Sequence, residues 1–121
     1  MNSSAKQGSE LIYISGALTA KTSGETKRLA KEAMERGRQV KEKGHMPFIP
    51  HCSIFYCEQM PWMQYYDWVK LDLLLLPAFD AILLEDTKMN KKSVGTMAEL
   101  GWTTSHNIKR YLTIEEIPSV N

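Results

Sequence analysis

The apolar positions of this chain fall into short runs separated by longer polar, helix-prone stretches. Leu11 to Ser15 (LIYIS) is β-prone and ends at Gly16, as a buried strand does where it enters a loop. From about Ser23 to Lys43 the chain is rich in Lys, Glu, Ala and Arg. Leu29, Ala33, Met34 and Val40 are its sparse apolar positions, which predicts a long amphipathic helix with Gly44 as its C′ stop. His45 to Pro50 (HMPFIP) reads as a short extended segment whose prolines favour a sheet edge or a strand end over a central place. Pro61 suits the first turn of a second helix, Trp62 to about Leu76, and Pro77 marks its end. Asp80 to Glu85 (DAILLE) is a second strongly buried strand, followed by a polar loop, Asp86 to Lys92. A helix from about Val94 to Ser105 and a final strand, Arg110 to Ile114, complete the series.

Strands alternating with helices predict an α/β domain: a flavodoxin-like (Rossmann-like) parallel sheet of four or five strands with helices on both faces. The polar stretch Met1 to Glu10 reads as a flexible tail, and residues 11 to 121 as one domain. In such sheets ligands sit outside the carboxyl ends of the strands, where the strand order reverses, which directs attention to the loops Ser15 to Ser23 and Asp86 to Ser93.

Composition narrows the choice of partner. At 121 residues, 43% of them apolar, the chain has enough material for a single core. Fifteen Lys and Arg against fourteen Asp and Glu leave a net charge of +1, too small to favour nucleic acid or an anionic membrane through a global field. The most apolar stretch, Leu71 to Leu84, is interrupted by Asp72, Pro77 and Asp80 short of the roughly 20 residues a bilayer span needs. With no signal-like segment the chain reads as cytoplasmic. Cys52 and Cys57 lie near His51, but no further Cys or His pair completes a tetrahedral set, so they read as reduced thiols and no metal is expected.

The chemistry concentrates in two places. In Ser93-Val94-Gly95-Thr96-Met97-Ala98-Glu99, Ser93 is a suitable N-cap, and Gly95 removes a side chain where free backbone N–H groups point outward. Glu99 follows about 9 Å along the axis and leans back toward that N-terminus, with Thr96 and Gly95 one turn before it. A phosphate could rest on the helix start with its sugar near the Glu99 carboxylate; the plainer alternative is a capped helix with a solvated Glu. Asp72 is the second place, on an apolar and aromatic stripe with Tyr65, Trp68, Val69 and Leu76. Lost hydration there would raise its pKa and suit a general acid or an orienting group, whereas a paired structural Asp is the competing reading. Tyr13 and Ser15 alternate with Ile12 and Ile14 on the first strand; a Tyr in such a strand usually just packs. Asp80 reads as a turn residue, Trp62, Trp68 and most of the Leu run as core, and Lys88, Lys91 and Lys92 as a solvated cluster beside the phosphate site.

Three segments together resemble the nucleoside 2-deoxyribosyltransferase superfamily, nearest in motif to its 2′-deoxynucleoside 5′-monophosphate N-hydrolases. They are Ile12-Tyr13-Ile14-Ser15-Gly16, then Asp72 with Asp80-Ala81-Ile82 eight residues on, then Ser93-x-Gly95-x-x-x-Glu99-Leu100-Gly101. The resemblance implies a homodimer or larger assembly, no cofactor, and a small-molecule nucleotide or nucleoside substrate. It implies that Glu99 attacks C1′ to form a glycosyl-enzyme, that Asp72 assists at base or sugar, and that Tyr13 lines the site. Ser15, Gly16, Ser93, Gly95 and Thr96 would then bind substrate. Ser93 stands where the transferases commonly carry Asp, as in the relatives that hydrolyse nucleotides. The loop after the first strand, Ala17-Leu18-Thr19-Ala20-Lys21, lacks the Arg those hydrolases often show. The expected activity is hydrolysis of a nucleoside 5′-monophosphate to free base and sugar phosphate; base exchange between nucleosides, or nucleotide binding without turnover, are the alternatives.

Overall fold

The computed structural model describes residues 8–16, 23–55, 59–85 and 101–120. Four parallel strands, β1 (Leu11–Ile14), β2 (Met46–Phe48), β3 (Ala81–Leu83) and β4 (Lys109–Tyr111), form one sheet in the order β2-β1-β3-β4. The expected α/β, flavodoxin-like architecture is therefore present, with β2 at the edge that its prolines favour. Pro47 has no N–H to give a ladder, and on an edge strand that loss is tolerated.

Alternation along β1 sorts the two faces. Ile12 and Ile14 join Ala33 and Val40 of α1 (Ser23–Glu42) in one cluster, with Ala81, Leu83, Tyr111 and Ile117. Tyr13 faces the other way, into a cluster with Leu76, Phe79, Ile82 and Leu84, against which Leu73 and Leu75 of α2 (Tyr65–Leu75) pack. Trp102, from a helical stretch at 101–105 that we label α3, packs on the same side as α2. Its end at 105 agrees with the expected helix; the expected start falls outside the described residues.

Small residues bring α1 close to the sheet. Ala30, Ala33, Gly37 and Val40 are buried on one stripe, and a Cβ added at Gly37 would collide with Ile49 Cδ1 and lie 3.0 Å from its Cγ1. The helix ends in a Schellman motif: His45 N–H donates to Val40 O (3.3 Å) and Gly44 N–H to Lys41 O (2.9 Å), with Gly44 at φ 96°. Gly44 is thus the stop that the sequence suggests.

Three expectations need correction. Ser9 and Glu10 are not part of a loose tail: Ser9 Oγ donates to Gly44 O (2.6 Å), Glu10 N–H to His45 Nδ1 (3.0 Å), and Glu10 O accepts from Met46 N–H (2.9 Å). The second helix begins at Tyr65, not Trp62, because Gln64 N–H donates to Asp67 Oδ2 at 2.8 Å and sets the helix start there; Pro61 and Trp62 form a turn ahead of it. Trp62 is not core: it is 69% exposed, with Tyr66 at 70%, Leu74 at 69% and Leu71 at 41%, since α2 can turn only one side to the sheet.

The amino edge of the sheet is closed by a dense polar clamp. Asp80 Oδ2 accepts from Leu11 N–H (2.8 Å) while Asp80 N–H donates to Leu11 O (2.9 Å), so Asp80 is a structural residue, as its strand-opening position suggests. Glu10 accepts from Tyr111 OH and Lys109 Nζ, each at 2.7 Å. His45 is buried with Nδ1 as acceptor, so its Nε2 carries the proton and donates to Pro118 O at 2.6 Å. Lys43 Nζ donates to Ile114 O (2.7 Å) and Ile117 O (2.8 Å), tying the C-terminal segment to the end of α1.

Gly37 sets a test of this packing. In an ordinary helix interior Gly→Ala stabilises by about 1 kcal/mol. Here Gly37→Ala should instead destabilise by roughly 1–2 kcal/mol through overpacking. Pairing it with Ile49→Val should recover much of the loss, as read by denaturant unfolding.

Candidate active site

The strand order places the reversal point between β1 and β3: the chain leaves β1 toward β2 on one side and β3 toward β4 on the other. The crevice at their carboxyl ends is where a ligand would lie. Ser15 extends the β1–β3 pairing by one residue, donating its N–H to Leu83 O at 2.9 Å, and is buried, with Gly16 next to it at the rim. Beyond β3, Leu84 O accepts from Arg110 Nε (3.2 Å) and Nη2 (3.1 Å), which fixes the point where the chain leaves the sheet.

Tyr13 and Asp72 come together. The Tyr13 ring has no exposed surface; it stacks on Phe48 (centroids 5.8 Å apart, 28° between planes) and meets Phe79 edge-on at 5.1 Å. Its hydroxyl donates to the carboxylate of Asp72, half-buried on the inner side of α2. Burial pushes Asp72 up to about 6, because a carboxylate among Trp68, Val69 and Leu76 loses water; the Tyr13 hydroxyl favours the charged form and limits the rise. Near neutral pH such a carboxyl exchanges a proton readily, which is what a general acid requires.

Glu99, Ser93, Gly95 and Thr96 lie outside the described residues, as do Cys57, Lys88, Lys91 and Lys92. Of the site residues read from sequence, the structure therefore brings together Tyr13 and Asp72 and sets Ser15 and Gly16 at the carboxyl end of the same strand. Cys52 is a partly buried thiol whose pKa burial raises, and among the described residues no group of three or more His, Cys, Asp or Glu could hold a metal ion. An open groove of about 440 Å³ follows the outer side of α1 between Gly24 and Glu35; its charges are largely paired, Arg28 with Glu32 at 2.5 Å and Glu35 with Arg38.

Sequence reasoning missed Arg36. It lies on the inner stripe of α1, three residues after Ala33 and four before Val40, and that spacing is the signal that could have found it. Its side chain is 21% exposed and its Nε sits 3.5 Å from Glu85 Oε1, two residues past β3. No protein-family model, curated protein or solved structure matches this chain. Among the described residues no helix is long and apolar enough to cross a membrane.

Asp72 makes stability depend on pH in a definite direction. Its folded pKa of about 6 lies above the ordinary 3.8, so between those values the folded protein holds a proton that the unfolded chain has lost. That contribution is complete below about pH 4 and is lost as pH rises through about 6. Relative to Asp72→Asn, the wild type should lose roughly 1–2 kcal/mol between pH 4 and pH 7, after discounting for partial solvation. Tyr13→Phe should move the Asp72 titration upward, readable by NMR of the carboxyl carbon.

Proposed function

We propose that the protein hydrolyses the N-glycosidic bond of a nucleoside 5′-monophosphate. The observation that supports this best is the Tyr13–Asp72 pair: a half-buried carboxyl with a pKa raised to about 6, held by the hydroxyl of a central-strand tyrosine beneath the ligand crevice. The resemblance of the three sequence segments to nucleoside 2-deoxyribosyltransferases supplies the reaction type. In this reading the Glu99 carboxylate attacks C1′ and the C1′–N bond breaks with its electron pair on the base. Asp72 gives its proton to the departing base, and Tyr13 orients Asp72. Water then attacks the glycosyl ester and its proton returns to Asp72, freeing Glu99 and the sugar phosphate.

Base release from a panel of ribo- and deoxyribonucleotides, measured with and without a free acceptor base, separates hydrolysis from base exchange. Glu99→Gln should abolish release while nucleotide binding persists, since the amide keeps size but not nucleophilicity. Asp72→Asn should lower turnover at least about tenfold. Wild-type turnover should decline as pH rises above about 6, where Asp72 loses the proton it must donate. Near-normal turnover in Glu99→Gln would end the assignment.

We also propose that the working form is a homodimer built on the outer face of α2. Tyr66, Leu71 and Leu74 are exposed there, with Trp62 in the turn before the helix. Asp67 and Lys70 lie on the same face, so antiparallel pairing of two copies can set Asp67 of one against Lys70 of the other. Sedimentation should give a dimer at micromolar concentration, and Tyr66→Glu with Leu74→Glu should give a folded monomer; a monomeric wild type would refute the arrangement.

A further inference from the structure

Arg36 is placed as a stability argument alone would not place it. It projects from the inner stripe of α1 at the level of the carboxyl ends of the strands: its neighbour Gly37 faces Ile49, the residue after β2, and its own partner, Glu85, follows β3. Its Nε is buried and has no hydrogen-bond acceptor among the described residues. Glu85, at 3.5 Å, is close enough to attract the charge and too far to accept a bond. Glu32 on the same helix adds a weaker attraction, and burial works against the charge. A guanidinium carries five donors in a planar fork, and here the Nε–H of that fork is buried with only a long ion pair beside it. The group that best matches such a fork is a bidentate oxyanion.

We infer that Arg36 is the anion-reading residue of this site, its guanidinium taking the phosphate monoester of a sugar phosphate at the crevice between β1 and β3. This rests on the nucleotide reading above and deepens it: the residue stands on the opposite side of the sheet from Asp72, so a ligand lying across the strand ends meets Asp72 with its base and Arg36 with its phosphate. Glu85 then has a definite role. With no ligand it shares the Arg36 charge, and an arriving phosphate must compete with it.

The test uses the whole protein and needs no turnover. Inorganic phosphate and ribose 5-phosphate are titrated at pH 7 by calorimetry, with ribose as the uncharged control. The wild type should bind both anions in competition and ribose much more weakly. Arg36→Gln should weaken both anions at least tenfold, and Arg36→Lys should fall between, because an ammonium keeps the charge but loses the fork. Lys27→Gln, on an exposed turn of α1, should change nothing. Glu85→Gln should tighten anion binding three- to tenfold, since it removes the competing carboxylate. That variant keeps the test decisive if Arg36→Gln does not fold: a purely structural ion pair predicts a less stable Glu85→Gln protein with no gain in affinity. Unchanged affinity in Arg36→Gln or Glu85→Gln, an equal loss in Lys27→Gln, or no phosphate binding by the wild type would each overturn the inference. Anion binding that behaves as described in a protein releasing no base would leave Arg36 assigned and remove only the hydrolase reading.

Discussion

A tyrosine hydroxyl cannot be left unbonded in the interior of a central strand, and much of this site follows from that. β1 has a strand on each side and a helix layer on each face, so Tyr13 is enclosed whichever way it turns. Its ring is accommodated by Phe48 and Phe79, but its hydroxyl needs a polar partner. Asp72 fills that need from α2. The solution carries a cost, because the carboxylate must give up water to reach the hydroxyl, and its proton affinity rises as a result. The burial that brings Asp72 to this bond produces the only large upward carboxyl shift among the described residues, and the bond itself holds that shift in check.

The two edges of the sheet are built on different terms. At the amino edge Glu10, Lys43, His45, Asp80, Lys109 and Tyr111 all have good partners, many of them backbone groups of distant segments. At the carboxyl edge Arg36 has one long ion pair, and Leu84 O is gripped by the Arg110 fork. Among the described residues, the bonds that join distant segments gather where the strands begin. In an open α/β sheet that leaves the opposite end, where ligands bind, apart from the clamp.

Local patterns made most of the fold legible. LIYIS and DAILLE could be read as strands because apolar β-prone residues are bounded by Gly or acidic residues, and Gly44 signalled the end of α1 through its tolerance of positive φ. At the start of α2 Pro61 is the louder signal in the sequence, but the Gln64–Asp67 bond sets the helix three residues later. Asp72 stood out by its place on an apolar stripe. Its bond to Tyr13 did not, since nothing local connects residues 59 positions apart. The amino-edge clamp was invisible for the same reason: Glu10 and Lys109 become neighbours only once four strands are in register. Arg36 was hidden among the many charges of a helix that looks solvated when read as composition.

The clamp also brings the two ends of the described chain together. A Cβ at Gly8 would lie 3.5 Å from Val120 Cγ1, and Val120 N–H donates to Lys43 O at 2.8 Å. A short linker from residue 120 to residue 8 would thus leave the sheet unaltered, and the polypeptide could be reopened at another surface turn. Chain order in this architecture is a matter of genetic layout, while the spatial order of the strands is what the folded protein requires.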